Sequence, residues 1–410
     1  MQIGIDASTV LNFGTKVGSG RYIINLIKSL LRIDSKRYLE NYFAEKKGPH
    51  GLSLSLSKIK DISFVITGRY TTEENLYVIK DLKNEFEDKK IKFSLIKTTQ
   101  EKLEKQDKRN FPPLELFGFK SDILHCPDYL IAPSLNKNIV LTIHDLSFYR
   151  YPEFNFEWFI EKYKKIVSAN SKRAKKIIAD SCSTKNDIIN FMDIEPSKIS
   201  VVHLAAEEKF KKLSVSETNR DVLKEYGIKG KYLLGVGTIE PRKNFKTLIK
   251  AFNKLKAKYP GNDDLSLVIA GKTGWKSEET FDEFNKSRFK DNIIFAGAVS
   301  DEDLIQLYNM AGLFVYPSVF EGFGLPLLEA MSCGAAAIAA DSSSIPEIMP
   351  DKELLFNALD ENEIALKIQD ILKDDSIKEK YCAKSLELSK SFSWAKNAQE
   401  TLDVYLSCFR

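Results

Sequence analysis

Two glutamates eight residues apart, Glu321 and Glu329, stand in the stretch 320–330, FEGFGLPLLEA. Carboxylates accept hydrogen bonds and repel phosphates, so their natural partners are the hydroxyls of a sugar or a ribose. Gly322 and Gly324 let the backbone turn tightly and approach a ligand, and Pro326 suits a first helical turn, where its missing N–H would be unpaired anyway. The spacing predicts a helix over 325–332 whose N-terminal N–H groups and dipole favour an anion, with Glu329 about one turn in. One ligand carrying both a phosphate and hydroxyls would meet Glu321, Gly322, Phe323, Gly324, Leu325 and Glu329. The competing reading is a glycine-rich loop with two solvated glutamates.

A second constellation is the stretch 235–244, GVGTIEPRKN. Gly235 and Gly237 follow an apolar run, and Arg242 and Lys243 precede Asn244, a candidate N-cap for a helix over 245–257. Two cations beside a helix start suit a departing phosphate, since each charge-assisted hydrogen bond is worth roughly 1.5–3 kcal/mol. A solvated charge pair after a turn is the plainer reading. A nicotinamide dehydrogenase is disfavoured, because Glu240 occupies the third glycine position of G-x-G-x-x-G and would oppose a pyrophosphate.

In the first half, Gly18, Ser19, Gly20, Arg21 and Tyr22 open a long helix, and the two glycines form a candidate phosphate cradle. His144 and Asp145 lie directly after the buried run 139–143, where a catalytic histidine and a merely structural one are both chemically reasonable. An aromatic stretch over 154–160 leads into Lys162, Lys164, Lys165, Lys172, Arg173, Lys175 and Lys176. It reads either as an amphipathic core helix with a basic face or as a surface for anionic lipid.

The elements that must position these residues alternate between short β-branched runs and longer amphipathic stretches, the pattern of α/β folds with parallel sheets. Strands are expected at 2–5, 62–66, 92–96, 123–125, 139–143, 177–179, 199–203, 232–236, 265–270, 293–296, 313–316 and 335–339, and helices at 21–31, 156–169, 245–257, 301–310 and 325–332. Weak periodicity over 206–222 suggests a linker. The domains are read as 1–208 and 209–391, each Rossmann-like, followed by a terminal helix over 392–410. Two such sheets would share a cleft at their carboxyl ends.

At 410 residues, 43% hydrophobic and 29% charged, the chain has an ordinary globular composition. Its net charge of +4 does not suggest a nucleic-acid binder. The charge is unevenly spread: residues 1–200 hold 33 basic and 25 acidic side chains, the rest 28 and 32. Five scattered cysteines without C-x-x-C and four histidines (His50, His125, His144, His203) without H-E-x-x-H point to neither a disulfide framework nor a metal site. The start lacks a signal-peptide pattern and no apolar run reaches 18 residues, so a cytoplasmic location is expected.

Taken in series, Glu321 with Glu329, the E-P-R-K-N after G-x-G-T, Tyr316-Pro317-Ser318, and Glu329-Ala330-Met331 before Gly334 resemble the retaining glycosyltransferases of family 4, which have the GT-B fold. The resemblance runs over 1–410 and is strongest over 231–350; it implies that 1–208 is the acceptor-binding domain, that 209–391 is the nucleotide-sugar-binding domain, and that the terminal helix, 392–410, crosses back to the first. It implies that Glu321 contacts donor-sugar hydroxyls, that Glu329 binds the nucleotide ribose, and that Lys243, helped by Arg242, neutralises the leaving diphosphate. Many relatives carry an arginine where this chain has Thr238. The base would rest on 296–300, around Val299, with Gly18 and Gly20 near the distal phosphate and His144 near the sugar. The same motifs, with Ala270-Gly271-Lys272-x-Gly274-Trp275, resemble bacterial mannosyltransferases of O-antigen or related polysaccharide synthesis. That implies GDP-mannose as donor, no metal or other cofactor, and a glycan or lipid-linked glycan acceptor met at the inner face of the cytoplasmic membrane. A UDP-sugar donor is the alternative. A GT-B epimerase lacks this combination of motifs, and a non-catalytic nucleotide-sugar sensor would keep the pocket without turnover.

Overall fold

The computed structural model describes all residues except 16, 46–58, 90, 110, 260 and 410, and no side chain at 45 or 106–109. His50 falls outside the described residues. The chain forms two compact units. The first holds Met1–Arg150, Glu157–Leu204 and Trp394–Arg410, and the second Tyr151–Phe156 and Ala205–Ser393.

In the first unit, β1 (Gln2–Asp6), β2 (Ser63–Tyr70), β3 (Lys92–Lys97), β4 (Ile123–Cys126), β5 (Ile139–Ile143), β6 (Lys176–Ala179) and β7 (Ile199–Val201) make one sheet in the order β3-β2-β1-β4-β5-β6-β7. In the second, β8 (Tyr232–Val236), β9 (Ser266–Ala270), β10 (Ile293–Gly297), β11 (Leu313–Tyr316), β12 (Ala337–Ala340) and β13 (Leu355–Phe356) run β10-β9-β8-β11-β12-β13. Their pairings are parallel. Strands such as β5 (IVLTI) and β8 (YLLGV) are buried at every residue, as sheets covered by helices on both faces require. Each sheet reverses its strand order once, at β1/β4 and at β8/β11. Open α/β sheets bind ligands outside the carboxyl ends of strands at that reversal.

The expected strands and helices form with shifted ends. β2 extends to Tyr70, past the apolar run, because its backbone still pairs with β3 through residue 97. β7 stops at Val201, and the strand expected at 335–339 forms at Ala337–Ala340. β13, two residues long, has too little sequence to show a period. The first long helix begins at Gly18 rather than 21. A Cβ on Gly20 would stand 2.1 Å from the Gly14 carbonyl oxygen, so glycine there is a packing requirement.

The terminal helix, Trp394–Ser407, packs back on the first unit, against the helix Gly18–Arg32 and β6. Its face of Ala398, Leu402 and Tyr405 is buried. One buried polar chain ties it to the sheet: Tyr405 Oη lies 2.7 Å from His125 Nδ1 on β4, His125 Nε2 lies 2.8 Å from Thr142 Oγ1 on β5, and Thr142 Oγ1 lies 3.1 Å from Tyr22 Oη. Burial, and then the neighbouring His144, push His125 down to about 3, so the ring is neutral and gives one donor and one acceptor to the chain.

Tyr405→Phe keeps the ring and strips His125 of one partner. The expected loss is about 1–3 kcal/mol of stability in urea denaturation. Because His125 takes up its proton more readily in the unfolded chain, the first unit is also expected to lose stability as pH falls from about 6.5 toward 3.

Candidate active site

The carboxyl ends of β8 and β11 carry a cluster of four charged side chains, Glu240, Arg242, Lys243 and Glu321. β8 ends at Val236, and Gly237, at φ 151°, turns the chain. A Cβ there would meet Cδ and Cε of Lys243 at 3.2 Å, so the glycine makes room for the lysine stem. A Cβ on Gly271, after β9, would stand 1.9 Å from the Gly237 carbonyl oxygen, and the two loops therefore touch backbone to backbone.

Pro241–Lys243 form one 3-10 turn, and Asn244 (φ 54°) separates it from the helix Phe245–Lys258. Arg242 and Lys243 thus lie ahead of the helix rather than in its first turn. Asn244 occupies the N-cap position, but its side chain makes no capping bond. Its Nδ2 instead donates to the carbonyls of Pro317 and Ala358, fastening the turn to the end of β11.

Lys243 Nζ donates to Glu321 Oε1 at 2.6 Å, and Arg242 NH1 donates to Glu321 Oε2 at 2.7 Å. Tyr316 Oη donates to the same Oε1 at 2.8 Å and accepts from Lys243 Nζ at 3.1 Å. Arg242 Nε pairs at 2.7 Å with Glu240, which is 2% exposed. Glu240 is therefore the group that steers the arginine, a role the sequence reading did not assign to it. Burial alone would raise the Glu321 carboxyl, but Lys243 and Arg242 hold it down at about 2. Burial lowers Lys243, opposed by Glu321. Two cations balance two carboxylates, so the cluster is closed on itself rather than a bare positive pocket.

Three serines after β12 hold the loop carrying Glu321. Ser343 Oγ accepts from Glu321 N at 2.8 Å, Ser344 Oγ donates to the carbonyls of Glu321 and Phe323, and Ser342 Oγ donates to that of Ser318. Gly324 adopts φ 119° and opens the helix Leu325–Ser332, with Pro326 in its first turn. Gly322 and Phe323 are buried in the same loop, and Leu325 is half-buried. Glu329, 4% exposed, accepts from Tyr308 Oη at 3.3 Å. Val299 is half-buried beyond β10, the edge strand, two strands along from β8. Ser300 Oγ caps the next helix by accepting from Asp303 N.

The structure thus joins Arg242, Lys243 and Glu321 directly and sets Gly237 and Gly322–Leu325 around them. Gly18, Gly20 and His144 belong to the first unit. His144 follows β5, and Gly18 lies in the first helical turn with nothing within 4 Å of a built Cβ. Sequence reasoning assigned no role to Glu240, Tyr316 or the serines 342–344. Three hydroxyls in a row directly after a buried strand were the available signal.

The model of glycosyl transferases group 1 matches residues 216–387, and that of Glycosyltransferase Family 4 matches residues 100–207. The O-antigen chain mannosyltransferase B of Escherichia coli is 32% identical over 295 residues, which cover 71% of this chain and 75% of that protein. The chain belongs to glycosyltransferase family 4. A second relative is the N-acetylgalactosamine-N,N'-diacetylbacillosaminyl-diphospho-undecaprenol 4-alpha-N-acetylgalactosaminyltransferase of Campylobacter jejuni. It is 26% identical over 259 residues, covering 62% of this glycosyltransferase and 66% of that one. In fold, the glycosyltransferase is similar to HepE of Anabaena, solved with UDP and glucose (TM-score 0.69, 15% identity, 98% of each chain covered). Two Rossmann-like units and a returning terminal helix make up the GT-B architecture.

The depressed carboxyl of Glu321 sets an acid dependence. Its folded value of about 2 lies below the ordinary 4.5, so its contribution, about 3 kcal/mol, is complete above pH 4.5 and is lost as pH falls toward 2. Glu321→Gln is expected to lower stability at pH 7 by about 3–5 kcal/mol, leaving two cations short of a partner, and to flatten the pH dependence of urea unfolding below 4.5.

Proposed function

We propose that this glycosyltransferase moves a hexose from a nucleoside diphosphate sugar to a hydroxyl of a glycan or lipid-linked glycan, with retention at the anomeric carbon and without a metal. The observation that supports this reading best is the closed pairing of Lys243 and Arg242 with Glu321 at the β8/β11 strand reversal. A diphosphate is a stronger, doubly charged partner for the two cations and would take them over. Glu321, released from them, would then accept from hydroxyls of the donor sugar, and Glu329 from those of the ribose.

As the bond from the anomeric carbon to the diphosphate oxygen breaks, charge grows on that oxygen. Lys243 and Arg242, fixed by Tyr316 and Glu240, would meet it without reorganising, which is where electrostatic catalysis gains most. The acceptor oxygen bonds to the anomeric carbon on the same face, and its proton passes to the departing diphosphate.

Mannose is our reading of the donated sugar, supported by the E. coli mannosyltransferase at 32% identity, with GDP-mannose as the donor that the sequence motifs imply. A UDP-sugar is the second. In the loop 296–300 the only side chain able to tell one base from another is that of Ser300, and it is engaged in a helix cap. The exposed Trp158, at the start of the basic helix Glu157–Arg173, supports contact with an anionic bilayer. No helix of the described residues is long and apolar enough to cross one.

A thermal-shift panel of nucleoside diphosphate sugars tests the donor, since a ligand at 100 times its Kd stabilises by about 2.7 kcal/mol. A shift with GDP-mannose is expected, and a shift with UDP-sugars alone would replace it with the second donor. With the donor that binds, Lys243→Ala should lower kcat by about 10²–10³. Glu329→Ala should raise the donor KM about tenfold or more. Unchanged kinetics in both would overturn the site.

A further inference from the structure

His144 and Asp180 follow neighbouring strands, β5 and β6, in the first unit. His144 Nδ1 lies 2.7 Å from Asp180 Oδ2, and Nε2 lies 3.2 Å from the Pro127 carbonyl oxygen. A carboxylate and a backbone carbonyl both accept, so each contact needs a proton. Imidazole is a stronger base than a carboxylate, which puts both protons on the ring. Asp180 is 2% exposed, and among the described residues its other oxygen, Oδ1, meets no hydrogen-bond donor. Its hydrogen-bonded counterion is therefore His144, with His203 also acting on it.

The surroundings favour the cation. The Tyr22 ring stands edge-on at 5.0 Å and that of Tyr129 at 6.5 Å, both as neutral phenols whose ionisation burial suppresses. Asp128 is held by Thr9 Oγ1 and Tyr129 N, and Asp145 by Ser147 N. His125 is buried and neutral, and the other histidine acting on Asp180 is His203. Burial would push His144 down, but Asp180, then Asp128 and the Pro127 carbonyl, raise it to about 9.

We propose that Asp180 is a positioning residue that locks His144 as an imidazolium with both N–H groups engaged, so that His144 serves glycosyl transfer as a fixed positive charge and not as the base that deprotonates the acceptor. This rests on the transfer reading given above. It also accounts for the buried Asp180, which that reading leaves without a task.

The test is nitrogen NMR of the full chain with labelled histidine, using His144→Gln to assign the ring, together with turnover against pH. The wild-type ring is expected to stay doubly protonated until about pH 9, and turnover to hold through pH 8 and fall above 9. In Asp180→Asn the ring should titrate near or below 6.5, with turnover about twentyfold lower at pH 8 than at pH 6. A merely structural Asp180 would lower turnover equally at every pH. A wild-type ring titrating near 6.5, or turnover rising with pH through that value, would overturn the proposal. A ring titrating near 9 in a protein that neither binds nor turns over any nucleotide sugar would support the Asp180 lock and overturn the transfer reading instead.

Discussion

The second unit depends on one buried ionic knot, Glu321 held between Lys243 and Arg242. Removing two cations and a carboxylate from water costs several kcal/mol per ion, and such a group is tolerated only when geometry and further hydrogen bonds offset that cost. The neighbouring structure supplies those bonds through Tyr316 at the end of β11 and Glu240 before the 3-10 turn, while three serines after β12 fix the backbone of the loop that carries Glu321. The ends of β8 and β11 therefore converge on one carboxylate, and the end of β12 holds its loop. Glycine at 271 lets its loop pass the Gly237 carbonyl at backbone distance, and glycine at 237 leaves room for the Lys243 stem.

The convergence follows from topology. Both sheets place their first strand beside their fourth, so the loops after those strands rise side by side with no crossover between them. In the second unit these loops carry Lys243 and Glu321. In the first, β1 and β4 bring Thr9 to Asp128, and the next two strands bring His144 to Asp180. The same strand order yields an acidic constellation around one imidazolium in one unit and a balanced ionic cluster in the other.

How much of this is legible in sequence varies with its physical origin. Strands such as β5 and β8 show themselves as short apolar runs, and the helices Asp301–Met310 and Leu325–Ser332 form at the residues that capping and periodicity indicate. Arg242, Lys243 and Glu321 are legible as residue types after strand ends, but their mutual pairing spans 79 positions and leaves no local mark. Glu240 misleads for the same reason, since an acid before a basic pair reads as an obstacle to phosphate until its contact with Arg242 is seen. Asn244 looks like a cap because local rules govern caps, whereas its bonds reach Pro317 and Ala358. Asp180 follows an ordinary strand, and nothing nearby announces a partner 36 residues earlier.

The helix Trp394–Ser407 completes the first unit only after the chain has laid down the whole of Ala205–Ser393. During synthesis the first seven strands emerge well before Tyr405 exists to meet His125. Domains generally fold as units and N-terminal first. Here the earliest-made body must wait, with its apolar strip around Tyr22 and β6 uncovered, until the later one has emerged. Completion of the first body therefore needs residues that are joined after all those of the second.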